Sequence, residues 1–120
     1  MSNLLSSLIF RKRNQRRNAE LMQIQTPKGI AESKFIQIGG TDQWISIRGE
    51  NRNNPILFMV HGGPASSYSI FHSLLRSWEK YFTVVQWDQP GAGHTFTRNG
   101  ETGTGKITFD RLIQDGIELV

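Results

Sequence analysis

The sequence predicts an α/β chain, a β-hairpin followed by a βαβα run. Three observations predict it. From Ser33 the apolar residues alternate with a period of two, and Gly39-Gly40 interrupts them. Ile56-Leu57-Phe58-Met59-Val60 and Thr83-Val84-Val85-Gln86-Trp87 are nearly unbroken apolar runs, the mark of strands covered on both faces. Phe71, Leu74, Leu75 and Trp78 recur between them at helical spacing.

Taken in order, residues 1–30 stand apart as a basic N-terminal extension, and residues 31–120 form the body. Ala19 to Ile24 ends a helix begun in the basic run, and Thr26-Pro27-Lys28-Gly29 breaks it. Phe35, Ile36 and Ile38 make the first strand. Gln43 to Arg48 makes the second, with Trp44 and Ser46 facing opposite to Ile45 and Ile47. Gly49 to Pro55 is a polar loop. Ile56–Val60 is expected as a central parallel strand, residues 68–80 as an amphipathic helix, and Thr83–Trp87 as its parallel partner, with a right-handed crossover. Residues 92–106, rich in Gly and Thr, read as an irregular loop. Thr108 caps a last helix with apolar positions Phe109, Leu112, Ile113, Ile117 and Leu119. No strand follows that helix, so the chain is expected to be incomplete as an α/β unit.

The 120 residues contain no cysteine, which excludes disulfides, thiolate metal sites and cysteine nucleophiles. The net charge of +4 is uneven. Arg11, Lys12, Arg13, Arg16 and Arg17 hold five of 14 basic residues, leaving nine against ten acidic ones elsewhere. The body is therefore nearly neutral, and no nucleic-acid partner is expected for it. The apolar stretch Leu4 to Phe10 precedes these charges, the reverse of a secretory leader. It is also far shorter than the roughly 20 residues of a membrane span. A cytoplasmic protein with no spanning segment is expected. The basic arm is expected to be a frayed or helical extension outside the fold, or else a weak membrane-surface or nucleic-acid arm.

The chemistry gathers at two strand ends. His61-Gly62-Gly63-Pro64 follows the first buried strand, where open α/β sheets place their ligands. Pro64 lacks an amide hydrogen, so Gly62, Gly63 and Ala65 carry the donors of this turn. A main-chain N–H aimed at a developing oxyanion is what acyl transfer requires. The candidate donor is Gly63, with His61 and Gly62 shaping the turn; a plain strand-ending turn is the competing reading. The second strand ends in Asp88-Gln89-Pro90-Gly91-Ala92-Gly93-His94. Asp88, Gln89, Gly91 and Gly93 are expected to support this loop, Asp88 through bonds to nearby backbone N–H groups.

Together the two stretches resemble the α/β-hydrolase family, in its proline-iminopeptidase-like branch. The resemblance covers most of Phe35 to Val120, including the last helix with Asp115. Pro90 and His94 depart from it, since arginine is usual at both places. The resemblance implies the N-terminal part of a serine hydrolase, with Ser, Asp and His in that chain order. Its substrate would be a small peptide, or a related amide or ester. The nucleophile would occupy a G-x-S-x-G turn after a further strand, and none of the ten serines here has that frame. No triad residue is therefore assigned, and the chain is expected to be inactive alone. The alternative is a noncatalytic truncated fragment whose exposed sheet edge favours self-association.

Two other classes are weighed. Gly100 to Lys106 has the G-x-x-x-x-G-K spacing of a phosphate-binding loop at residues 100–108, but Ile107 stands where Ser or Thr should bind Mg²⁺, and no buried strand precedes it. His61, His72 and His94 have no metal-ligand spacing, so neither a metal nor a cofactor is expected.

Overall fold

The computed structural model describes residues 2–61 and 69–120. It is an α/β arrangement around one four-stranded mixed sheet. Helix α1 spans Ser2–Met22, and the turn at Thr26–Gly29 closes through Gly29 N–H donating to Thr26 O. Strands β1 (Ile30–Ile38) and β2 (Thr41–Gly49) form an antiparallel hairpin pairing Phe35 with Trp44. Gly39 and Gly40 make its turn with positive φ (57° and 80°), a region glycine enters without strain. A Cβ on Gly39 would also collide with the Asp115 carboxylate.

Strand β3 (Ile56–Val60) leads through a 3₁₀ helix, Ser69–Lys80, to β4 (Thr83–Asp88). β3 and β4 are parallel neighbours, and β4 pairs antiparallel with β2. The order across the sheet is β1-β2-β4-β3. The expected central place of β3 is thus corrected. Among the described residues β4 is its one ladder partner, and Ile56 (71% exposed) and Val60 (56%) are open to solvent. β4 has the inner position, and Val84 and Trp87 are nearly inaccessible.

The crossover also differs from expectation in being 3₁₀ rather than α; it ends as Tyr81 N–H donates to Trp78 O. Leu75 is half-buried and Trp78 is exposed. The side chains of Phe71, His72 and Leu74 lie outside the description, so the expected apolar stripe is only partly visible.

A further correction concerns residues 92–106, where helix α2 occupies Gly93–Thr104 with a kink at Gly100 (φ 68°). Its composition is poor for a helix. Side chains supply what propensity lacks. Asn99 Nδ2 donates to Asp42 O and Thr95 O, both at 2.8 Å, and the Thr95 hydroxyl accepts from Trp44 N–H at 2.9 Å. The stretch 100–106 therefore begins inside α2 and runs past its end, so the strand-loop-helix context of a phosphate loop is missing there. Arg111 Nη1 bonds the carbonyls of Thr104 and Lys106.

Helix α3 (Phe109–Leu119) begins as expected, with the Thr108 hydroxyl accepting from Arg111 N–H at 3.1 Å. Of its apolar positions Leu112 and Leu119 are half-buried, while Phe109 (87% exposed), Ile113 and Ile117 are exposed. Polar contacts tie α3 to the hairpin. Gln43 Nε2 donates to Asp115 Oδ2 (2.9 Å), and Gly39 N–H donates to Glu118 (2.9 Å). Trp87 Nε1 donates to Gln43 Oε1 (2.8 Å), which joins α3 to the inner strand.

The register places Gln43, Ile45, Val85, Trp87 and Phe58 on the sheet face that meets α3. The opposite face carries Trp44, Arg48 and Asp88 and meets α2 and the 3₁₀ helix. On that face Arg98, Phe35, Trp44 and His94 form one continuous stack, with centroid distances of 5.1, 4.9 and 4.6 Å. Arg48 and Arg76 both meet the buried carboxylate of Glu79, at 2.9 and 3.5 Å. Among the described residues no helix is long and apolar enough to cross a membrane.

Candidate functional site

Because β3 and β4 run parallel, the segments leaving them emerge at the same end of the sheet. This is where the two motifs meet. His61 is buried, and its Nε2 accepts from Gln89 N–H at 3.1 Å. Gln89 Nε2 returns a bond to His61 O at 2.8 Å. An accepting Nε2 requires the neutral ring with its proton on Nδ1. His61 is thereby engaged as a clamp between the two strand ends. Gly62 and Gly63, the expected shaper and donor of the turn, lie outside the described residues, as does Pro64.

The loop after β4 is built on Asp88. Its buried carboxylate accepts from His94 N–H at 2.9 Å, and the same oxygen lies 3.1 Å from His94 Nδ1. His94 is the second residue of α2, so Asp88 satisfies one of the amides that a helix start leaves without a partner. Its negative charge also lies at the favourable end of the helix dipole. Ala92, at the cap position, has no side chain able to do this. The Thr95 hydroxyl donates to Asp88 O at 2.5 Å. Gln89 O accepts from Ala92 N–H at 3.0 Å, closing a tight turn through Gly91 (φ 84°) and into Gly93 (φ 48°). A side chain on Gly91 would also run into Ile107.

The arrangement is a hydrogen-bonded platform at one end of the sheet, assembled from His61, Asp88, Gln89 and the start of α2. Asp115 belongs to a different neighbourhood, between Gln43 and Arg111. Among the described residues no group of three His, Asp or Glu side chains is placed to hold a metal ion. Sequence reasoning missed Thr95, which ties Asp88 to β2, and Gln43. A polar residue at an inward strand position was the available signal for Gln43.

The platform predicts its own stability. His61→Leu removes the acceptor of a buried amide and is expected to cost about 2 kcal/mol, within the usual range for an orphaned buried donor. Urea unfolding followed by tryptophan fluorescence measures it; a loss too small to resolve would show that Gln89 finds another partner.

No protein-family profile matches the chain. Over 97 residues, 80% of its length, it is 34% identical to the protein named Probable aminopeptidase YbaC of Bacillus subtilis (strain 168). Its fold is similar to the crystal structure of a proline iminopeptidase-related protein from Thermus thermophilus, with a TM-score of 0.63 and 26% identity over 75% of this chain. The chain spans 30% of the first relative's length and 31% of the second's. Both likenesses support a peptidase-like fold family for this α/β sheet.

Proposed function

We propose that this chain supplies the oxyanion-binding portion of an α/β serine hydrolase similar to proline iminopeptidases, and that the 120 residues alone do not turn over substrate. The reaction is hydrolysis of an N-terminal prolyl peptide bond, or of a related amide or ester. The reading rests on the reciprocal His61–Gln89 pairing, which holds the two strand-end motifs together at one end of the parallel pair. Gly63 donates its main-chain N–H to the developing oxyanion, worth most where the donor is already fixed in place. Fixing the His61 carbonyl through Gln89 anchors the chain immediately before that turn. The assignment of Gly63 itself comes from the H-G-G-P motif.

The nucleophile is not among these residues. None of the ten serines lies in a G-x-S-x-G frame. Asp88 bonds the start of α2, Asp115 accepts from Gln43, and His61 Nε2 accepts from the Gln89 amide, and all three are read here as structural rather than as triad members. A hydrolase stripped of its triad but with an intact oxyanion hole retains about 10³–10⁴ over water. The second donor of such a hole follows the nucleophile, so this chain falls below that remnant. Residues 1–30 act as a basic N-terminal extension of this hydrolase portion.

A fluorophosphonate probe and a prolyl arylamide substrate test the reading together. The expected result is no stoichiometric labelling and no hydrolysis by the 120 residues. A longer chain that continues into a strand and a G-x-S-x-G turn should show both. Specific labelling of one serine in the short chain would refute the missing nucleophile, and a longer chain of that kind without labelling would refute the hydrolase itself.

A further inference from the structure

Helix α1 carries a surface that the proposed hydrolase does not use. Its C-terminal end is fastened to the body. Arg76 Nε donates to Leu21 O (3.0 Å), Arg76 Nη2 donates to Gln23 O (3.2 Å), and Arg48 Nη2 bonds Met22 O. These are carbonyls of the kind a helix end leaves without partners. Ahead of that clamp every side chain from Asn3 to Arg17 is exposed.

At about 100° per residue, Leu4, Leu5, Leu8 and Ile9 share an arc of about 140° on the first turns. The Ser6 and Ser7 hydroxyls among them donate to Asn3 O (3.1 Å) and Leu4 O (2.8 Å), so the helix itself satisfies them. Arg11, Lys12, Arg13, Arg16 and Arg17 come next. Among the described residues none of these five has an ion-pair partner, whereas the body's Arg48, Arg76, Arg98 and Arg111 all do. The cations follow the apolar residues along the axis; they do not oppose them around it.

We infer that α1 docks on an anionic lipid bilayer. The surface asks for two things in sequence, an apolar medium for Leu4, Leu5, Leu8 and Ile9 and, one to two turns further on, fixed negative charge for five cations. The boundary between acyl chains and phosphates offers both, one above the other. A nucleic acid would neutralise the cations but leave the leucines in water. An apolar protein groove would cover the leucines but leave the cations unanswered. The helix enters obliquely, its first turns in the acyl boundary and Arg11 to Arg17 at the level of the phosphates. The clamp at residues 21–23 holds the body on the water side.

Flotation of the full chain with phosphatidylcholine vesicles, with and without phosphatidylserine, tests this and excludes aggregates, which do not float. The chain should float with the serine lipid only and be released by salt, as expected for charge neutralised at a surface. R13Q/R16Q/R17Q should lose about a hundredfold in partition, about fivefold for each charge removed near the surface. L4S/L8S/I9S should lose flotation with all five cations in place. Circular dichroism confirms that each variant folds, and the salt titration of the unaltered chain carries the charge test where one does not. Flotation on neither lipid, equal flotation on both, or indifference to L4S/L8S/I9S would overturn the inference. So would retention on duplex RNA by a chain that does not float.

Discussion

Gln43→Ala is expected to destabilise the chain by about 3 kcal/mol, the sum of a small cavity and two orphaned buried partners. Gln43 is fully buried, and both ends of its side-chain amide are hydrogen-bonded. Its Nε2 donates to Ile38 O (3.1 Å), Thr41 Oγ1 (3.1 Å) and Asp115 Oδ2 (2.9 Å), and its Oε1 accepts from Trp87 Nε1 (2.8 Å). Truncation leaves the Trp87 indole N–H without an acceptor in the interior. It also leaves the Asp115 carboxylate with Arg111, 3.8 Å away, as its remaining charged neighbour. Gln43→Met separates the two causes, because it fills the volume and restores no bond. Urea unfolding should place Gln43→Met closer to Gln43→Ala than to the unaltered chain. A Met variant as stable as the original would show that packing, not the polar network, seats α3 on the sheet.

Glu79→Ala is the second large effect, with an expected loss of about 2–3 kcal/mol. Removing one partner of a fully buried ion pair costs about 3–5 kcal/mol, and the figure is reduced here because both arginines keep partial contact with water. Arg76 also retains Glu50 at 2.9 Å. The same two arginines bond the carbonyls of Leu21, Met22 and Gln23, so the substitution has a second readout. Amides near the end of α1 should exchange their hydrogens faster in the variant, while those of β2 and β4 change only with global stability. Glu79→Gln, which keeps shape and an acceptor, should lose less. Unchanged exchange at residues 19–24 would separate α1 from this ion network.

How far the fold was legible depends on the range of the forces involved. The hairpin showed in the sequence because alternation and a glycine turn are local, and the β3 and β4 runs showed because continuous apolarity is local too. Helix α2 did not. Gly93, Gly100, Gly103 and the threonines argue against a helix, and the bonds that hold it reach back to Asp88, Asp42 and Trp44. The marginal position of β3 was hidden for a related reason. An apolar run reports a tendency to be covered, while pairing decides which strand has neighbours on both sides. At the site, the shared end of the two motifs followed from their places after parallel strands. The His61–Gln89 exchange did not, because nothing in either motif alone states that the glutamine turns towards the histidine.

Strand β3 has one further consequence, for the order in which the protein can assemble during synthesis. Among the described residues its backbone bonds run only to β4, which follows it in the chain by more than twenty residues. The β1–β2 hairpin can close as soon as it leaves the ribosome, since its ladder is wholly local. β3 emerges next and has nothing to pair with until Asp88 has cleared the exit tunnel. During that interval the apolar run Ile56 to Val60 waits without its ladder partner, and it is there that a holding chaperone would find its grip.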